Sequence, residues 1–187
     1  MQKNWKLIAG IIAGIALLVG VWIYVKYYNN SQKWYTTFTS VDKTFSVDYP
    51  RSRQVQLPKT DQGAIVASFV TDNDSLKTTS NIKPYVNIAK GAVAGNIDDV
   101  YAQTIEKYKK LFKNVQIISE GKDRINGENA RKVVFEGTLG GRKMHYVVVF
   151  IEYKQMIFTI TAASAPVDAQ ILGKELEIIL STWKFTE

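Results

Sequence analysis

The feature that most constrains this chain is an uncharged apolar run from Leu7 to Val25, bounded by Lys6 and Lys26. As a helix, the run would be roughly 28 Å long, which matches the hydrocarbon thickness of a bilayer. A cleavable signal has a shorter apolar core and ends in small side chains, whereas here the run ends in bulky and aromatic ones. It also lacks the polar face of a helix that packs on a soluble core. The sequence therefore predicts an uncleaved transmembrane anchor at residues 1–26.

Aromatic residues stand at both ends of the predicted span. Trp5 precedes Leu7, and Trp22 and Tyr24 precede Val25 at the other end. Rings of this kind are enriched where a membrane helix meets the lipid headgroups. The pattern predicts that these residues form the membrane anchor and that the lipid bilayer is a partner of the chain.

Orientation follows from the flanking positive charges. The amino terminus, Lys3 and Lys6 lie before the span, and Lys26 and Lys33 lie after it. This slight excess favours a cytoplasmic amino terminus. We therefore expect a single-pass protein of the cell membrane with its soluble domain outside the cytoplasm.

Small residues inside the span suggest a way for two copies to associate. Gly10 and Gly14 are four residues apart, a spacing that lets two membrane helices approach closely. Small residues are also common in membrane helices that do not pair. The pattern predicts a homo-oligomer through this helix face or, in the alternative, ordinary membrane-helix composition.

The charge distribution argues against nucleic acid as a partner. The chain has a net charge of +7, but residues 1–33 hold four lysines and no acidic residue, so residues 34–187 retain only +3. The excess lies beside the predicted bilayer, where anionic headgroups attract it. The chain contains no cysteine, which excludes disulfides and thiol chemistry. The remaining length suits one domain with a core, and we assign residues 27–40 to a linker and residues 41–187 to that domain.

Hydrophobic periodicity predicts the elements of this domain. Apolar alternation predicts strands at residues 45–49, 63–70 and 83–91, and a 3.6-residue period after Asn96 predicts a helix as far as Phe112. A meander follows, with turns at Asn126–Gly127, Gly140–Gly141 and Lys154–Gln155. Its segment HYVVVFIEY is apolar on both faces, as a central strand should be. A last helix begins near Pro166 and buries Leu172, Leu176, Ile179 and Leu180. Two amphipathic helices and one antiparallel sheet predict an α+β sandwich.

Two segments of the domain resemble the PsbP-like family, which includes DcrB-like proteins. FTSVDKTFSVDYP, at residues 38–50, is similar to the opening strand of that family, and NGENARKVVFEGTLGGRKMHYVVVFIEYKQMIFTITAASAP followed by a helix and STWKF is similar to its later half. The resemblance spans roughly residues 36–185. It implies an α/β/α sandwich and an accessory, non-catalytic role at a membrane, and it carries no catalytic residue onto this chain. The predicted integral anchor departs from PsbP itself.

The sequence contains no pattern that selects a catalytic, cofactor or metal site. His145 is the only histidine, so a histidine-based triad or metal site lacks its usual partners, and we expect a structural or surface role. The segment TDNDS at residues 71–75 begins like a calcium loop, but lysines replace the glycine and glutamate that the loop requires. We therefore expect no cofactor and no metal.

Two classes of function remain open. One is a membrane-anchored, non-catalytic interaction domain that binds another membrane or envelope protein or an envelope component. The other is an enzyme or small-ligand-binding protein whose site is assembled from residues distant in sequence. A polar pocket containing His145 or a carboxylate pair with perturbed pKa values would favour the second class.

Overall fold

Antiparallel strands form most of the domain. The structure is a computed structural model that describes residue 19 and residues 34–58, 64–71, 80, 82–92 and 95–186. The chain divides into two units, Met1–Thr36 and Thr37–Glu187. In the described part of the chain, no helix has the length and apolarity needed to cross a membrane. The predicted anchor and pairing residues lie outside the described residues; these are Trp5, Leu7, Gly10, Gly14, Trp22, Tyr24 and Val25.

The larger sheet has seven strands, all paired antiparallel, in the order β3-β4-β5-β9-β8-β7-β6. The strands are β3 (Arg53–Gln56), β4 (Ile65–Thr71), β5 (Tyr85–Ala92), β6 (Lys113–Ile125), β7 (Glu128–Leu139), β8 (Arg142–Tyr153) and β9 (Met156–Ser164). β8 lies between β9 and β7, and its side chains are buried on both faces over most of its length. The prediction of a central strand at HYVVVFIEY is confirmed.

A second sheet of three strands differs from the single sheet that we expected. It consists of β1 (Tyr35–Thr39), β2 (Phe45–Pro50) and β10 (Lys184–Phe185), in the order β1-β2-β10. β1 falls inside the segment that the sequence analysis assigns to the linker. The Phe38 ring explains why a strand forms there, because it contacts the rings of Phe45 and Phe69 at centroid distances of 6.0 and 5.6 Å.

Two helices cover the larger sheet. Helix α1 (Ile97–Leu111) begins as predicted, with Asn96 Oδ1 accepting a hydrogen bond of 2.9 Å from the Asp99 backbone N–H. It packs on β6, β7 and β8 and buries Ile97 and Ile105. Helix α2 (Ala169–Ser181) follows a 3₁₀ turn at Pro166–Asp168.

The opposite face of the larger sheet is covered by α2 together with the smaller sheet. Helix α2 packs on β2 and β9. It buries Leu172, Leu176 and Ile179 as predicted, whereas Leu180 is only half-buried. The result is an α+β sandwich in which helices flank an antiparallel sheet, which confirms the predicted fold class of the domain.

The turn between β8 and β9 stores backbone strain. Lys154 and Gln155 both have positive φ, 46° and 63°, a region that costs a residue with a side chain roughly 1–2 kcal/mol. The corresponding turn between β7 and β8 uses Gly140 and Gly141, with φ of 58° and 79°. The two turns have the same left-handed geometry, but only one of them has the residues that favour it.

We expect Gln155→Gly to raise the free energy of unfolding by about 0.5–1 kcal/mol, because glycine removes the strain and costs only part of it in chain entropy. The measurement is pulse proteolysis of the full chain across a urea series. Gly141→Gln is the matched control and should lower stability, although no heavy atom of the described residues lies within 4 Å of an added Cβ there. Equal effects of the two changes would contradict the strain argument.

Candidate functional site

A groove of about 450 Å³ lies on the larger sheet, over the strands β3, β4 and β5. Helix α1 covers the same face mainly over β6, β7 and β8. The groove is lined by Gln54, Gln56, Ser68, Val70, Thr71, Lys83, Pro84, Tyr85 and Asn87. It lies beside the part of this face that α1 covers, and Tyr85 stands at the border between the two.

The side chains that line the groove stand in two rows across the strands. Gln56 on β3 is paired with Ser68 on β4, which is paired with Asn87 on β5. In the neighbouring row, Gln54 on β3 is paired with Val70, which is paired with Tyr85. Directly opposed residues have Cβ atoms about 4.5–5.5 Å apart, so each row is continuous. The first row is polar throughout, and the second offers a carboxamide on β3 followed by an apolar and an aromatic side chain.

The period of two in β4 and β5 sets this arrangement. Phe69 and Val86 are 1% exposed because they point into the core on the opposite face. Their neighbours Ser68 and Asn87 therefore point towards the groove. The alternation in the sequence therefore places Ser68 and Asn87 on the face of the sheet that carries the groove.

The groove is rich in hydrogen-bonding groups and poor in charge. Among the described residues that line it, Lys83 is the only charged one. Within the part of the chain that the structure describes, the side chains of Gln56, Ser68 and Asn87 make no hydrogen bond. Burial raises the pKa of Tyr85, as does its proximity to Tyr108, so the Tyr85 hydroxyl keeps its proton. The groove therefore presents neutral groups that donate and accept hydrogen bonds.

A buried ion pair lies behind the groove and fixes the ends of its strands. Arg53, on β3, is 5% exposed, and its Nε donates to Glu175 Oε2 on α2 at 3.0 Å, with Nη2 bonded to the same oxygen. Its Nη1 donates to the Pro84 carbonyl at 2.8 Å and also to Thr71 Oγ1. Thr71 in turn donates to the Pro84 carbonyl at 3.0 Å. Since Thr71 and Pro84 line the groove, this clamp connects the groove to α2.

The pKa of Glu175 reflects the desolvation that accompanies burial of its ion pair with Arg53. Burial raises its pKa, and the neighbouring Arg53 guanidinium opposes that rise without cancelling it. The desolvation of the carboxylate thus outweighs the attraction of its partner, as is common for buried ion pairs. The clamp therefore joins β3 to α2 at a cost in desolvation.

A second cavity, of about 600 Å³, lies between the start of α1, the β6–β7 hairpin and β8. Three of its charged side chains form ion pairs with one another. Asp98 lies 2.7 Å from Arg131 Nε and 3.2 Å from Lys122 Nζ, and hydrogen bonds from Arg131 and then Lys122 lower the pKa of Asp98. The Arg131 guanidinium also lies 4.9 Å from the centroid of the Tyr101 ring. These contacts support a structural role for this charged region.

His145 has a partner that the sequence pattern did not indicate. It stands opposite Glu136 in the β7–β8 register, with 3.7 Å between His145 Nδ1 and Glu136 Oε1. Lys143 Nζ lies 2.6 Å from the other Glu136 oxygen, and this hydrogen bond lowers the pKa of Glu136. His145 lines neither of the two cavities. The partner was missed because His145 and Glu136 belong to different strands.

The sequence analysis did not single out the groove residues. Ser68 and Asn87 lie within strands that it predicted, at the polar positions of the alternation. Gln54 and Gln56 lie in β3, which it did not predict. The available signal was the repeated polar residue between buried apolar ones, but only the strand register shows that these positions meet.

Solved structures share this fold. LpqN of Mycobacterium tuberculosis, involved in cell envelope biogenesis, is 12% identical and superposes with a TM-score of 0.62, covering 82% of this chain and 91% of LpqN. The PsbP of Synechocystis (CyanoP) is 11% identical with a TM-score of 0.57, covering 81% of this chain and 92% of CyanoP. The fold is PsbP-like. A Pseudomonas aeruginosa protein of unknown function is 16% identical with a TM-score of 0.56, covering 79% of this chain and 94% of that chain.

Sequence comparison adds no family assignment. No family model and no curated protein matches the chain. At the identities of the solved structures, the likeness is one of fold alone. It confirms the fold that the sequence resemblance implied.

Proposed function

We propose that this chain is a membrane-anchored accessory protein that holds its PsbP-like domain outside the cytoplasm and binds an envelope component. The observation that carries the proposal is the groove over β3, β4 and β5, which gathers neutral polar side chains from three strands. Among the described residues, the side chains of Gln56, Ser68 and Asn87 make no hydrogen bond, and polar groups that converge in this way on a concave surface are typical of a binding site. The proposed role is binding without catalysis.

The membrane part of the proposal rests on the sequence. The apolar run from Leu7 to Val25 has the length of a membrane span, and its flanking lysines favour a cytoplasmic amino terminus. An anchor of this kind keeps the domain close to the membrane surface, where envelope components are concentrated. The involvement of LpqN in cell envelope biogenesis is consistent with the proposal for a protein of the same fold.

The experiment combines protease accessibility with photocross-linking in cells that express the full chain. A photoreactive amino acid is placed at Gln56, in the groove, or at Glu177, an exposed residue of α2 on the other face of the sheet. We expect protease added to spheroplasts to remove the domain, and irradiation to give an envelope adduct from position 56 but not from position 177.

Two outcomes would overturn the proposal. A domain that is protected from protease in intact spheroplasts would place it in the cytoplasm. Equal adduct yields at positions 56 and 177 would remove the groove as the binding site.

A further inference from the structure

We propose that the groove binds a neutral glycan, which lies across β3, β4 and β5 with its hydroxyl groups on the polar row Gln56–Ser68–Asn87. This inference rests on the proposed function and names the class of envelope component. It follows from the chemistry of the two rows, from the charge of the groove and from the direction in which the rows run.

The polar row matches the hydrogen-bonding chemistry of sugar hydroxyls. A carboxamide carries two N–H donors and an acceptor oxygen, and a serine hydroxyl both donates and accepts. A sugar hydroxyl likewise donates and accepts, so each can pair with either kind of group. Within the described residues, the side chains of Gln56, Ser68 and Asn87 form no hydrogen bond with the protein, so their donors and acceptors are available to a ligand.

The neighbouring row supplies a surface for the apolar face of a sugar ring. Val70 and Tyr85 stand side by side in register and are both half-buried. An aromatic ring with a polar tip can contact C–H groups while its hydroxyl makes a hydrogen bond. Since burial and Tyr108 raise the pKa of Tyr85, that hydroxyl remains a donor.

The low charge of the groove favours a neutral glycan over a polyanion as its ligand. A protein that binds nucleic acid neutralises several phosphates with lysine or arginine side chains. In the part of the groove that the described residues form, Lys83 is the single cation. The positive excess of the chain lies mainly in residues 1–33.

The position of the groove on the face of the sheet favours a glycan over an extended peptide as its ligand. A peptide that adds a strand to a sheet pairs with the backbone of an edge strand. The groove instead lies on the face of three hydrogen-bonded strands, and its rows cross those strands. At about 4.8 Å between strands, a row from β3 to β5 is about 10 Å long. A linear polymer lying along the rows would contact the polar row with its edge and Val70 and Tyr85 with its face.

The test uses the full chain in phosphatidylcholine nanodiscs, because alkyl-glycoside detergents would themselves offer a sugar to the groove. The probes are chitopentaose and cellopentaose, which are neutral, and oligogalacturonate, which is anionic. Binding is followed by saturation-transfer difference NMR, a method that benefits from a large particle. We expect at least one neutral oligosaccharide to bind and oligogalacturonate not to bind.

The variants assign the binding to the groove. Gln56→Ala/Asn87→Ala removes hydrogen bonds from the polar row and should weaken binding about tenfold. Gln116→Ala, at an exposed glutamine of β6, is the matched control and should bind as the parent does. Failure of both neutral probes to bind, or equal binding by the parent and the groove variant, would overturn the inference.

The two proposals fail separately. A protein adduct at position 56 in cells would leave the proposed function standing and overturn the glycan inference. Glycan binding in nanodiscs together with a protease-protected domain would support the ligand class and overturn the proposed location.

Discussion

Replacing Glu175 by alanine should lower the free energy of unfolding by about 3–5 kcal/mol, because it leaves a charged arginine buried without its counter-ion. The Arg53 side chain is only 2% exposed, and its Nε and Nη2 both donate to Glu175 Oε2. The Glu175 side chain is itself only 12% exposed, so we expect little water to replace that acceptor. Pulse proteolysis of the full chain in nanodiscs across a urea series measures the loss.

A double replacement distinguishes the charge from the packing. Arg53→Met/Glu175→Leu removes both charges and keeps much of the volume, so most of the stability should return. The pKa of Glu175, which burial raises against the opposing effect of Arg53, supports this expectation. Glu177→Ala, at an exposed position of the same helix, is the control and should change stability by less than about 0.5 kcal/mol. A loss below about 1 kcal/mol for Glu175→Ala would show that water reaches the guanidinium.

The clamp also illustrates what the sequence could not predict. Its two charges are 122 residues apart, and neither lies in a pattern that indicates burial. The strand β3 reads RQVQ, with one apolar residue, so periodicity gave no reason to place it in a sheet. It forms because Val55 packs against the core and because Arg53 finds its acceptors on β4, on Pro84 and on α2.

Elements with strong periodicity were predictable because their own side chains determine them. Helix α1 has a capping asparagine, acidic residues in its first turn and an apolar stripe, and all three are visible in the sequence. Strand β8 is apolar on both faces and is central for that reason. The groove is different, because Gln56, Ser68 and Asn87 become neighbours only through the register of three strands.

The small sheet depends on one aromatic cluster, and Phe45→Ala should lower the free energy of unfolding by about 3–5 kcal/mol. The Phe45 ring is fully buried and stacks on Trp183 with a centroid distance of 4.6 Å and an interplanar angle of 7°. It also meets the edge of Phe158 on β9 at 5.6 Å. Removing the ring opens a cavity where β2 meets the larger sheet, because Phe45 contacts Phe38 of the smaller sheet and Phe158 of the larger one.

Trp183→Phe is the informative comparison for this cluster. It removes less volume, and it also removes an indole Nε1 that is buried and has no hydrogen-bond partner among the described residues. A buried donor without an acceptor costs about 1–3 kcal/mol, so its removal offsets much of the packing that is lost. We expect Trp183→Phe to lower stability by less than about 2 kcal/mol, measured by the same urea series. If Trp183→Phe cost as much as Phe45→Ala, the indole N–H would have an acceptor in solution, and the cluster would be held by a hydrogen bond as well as by ring packing.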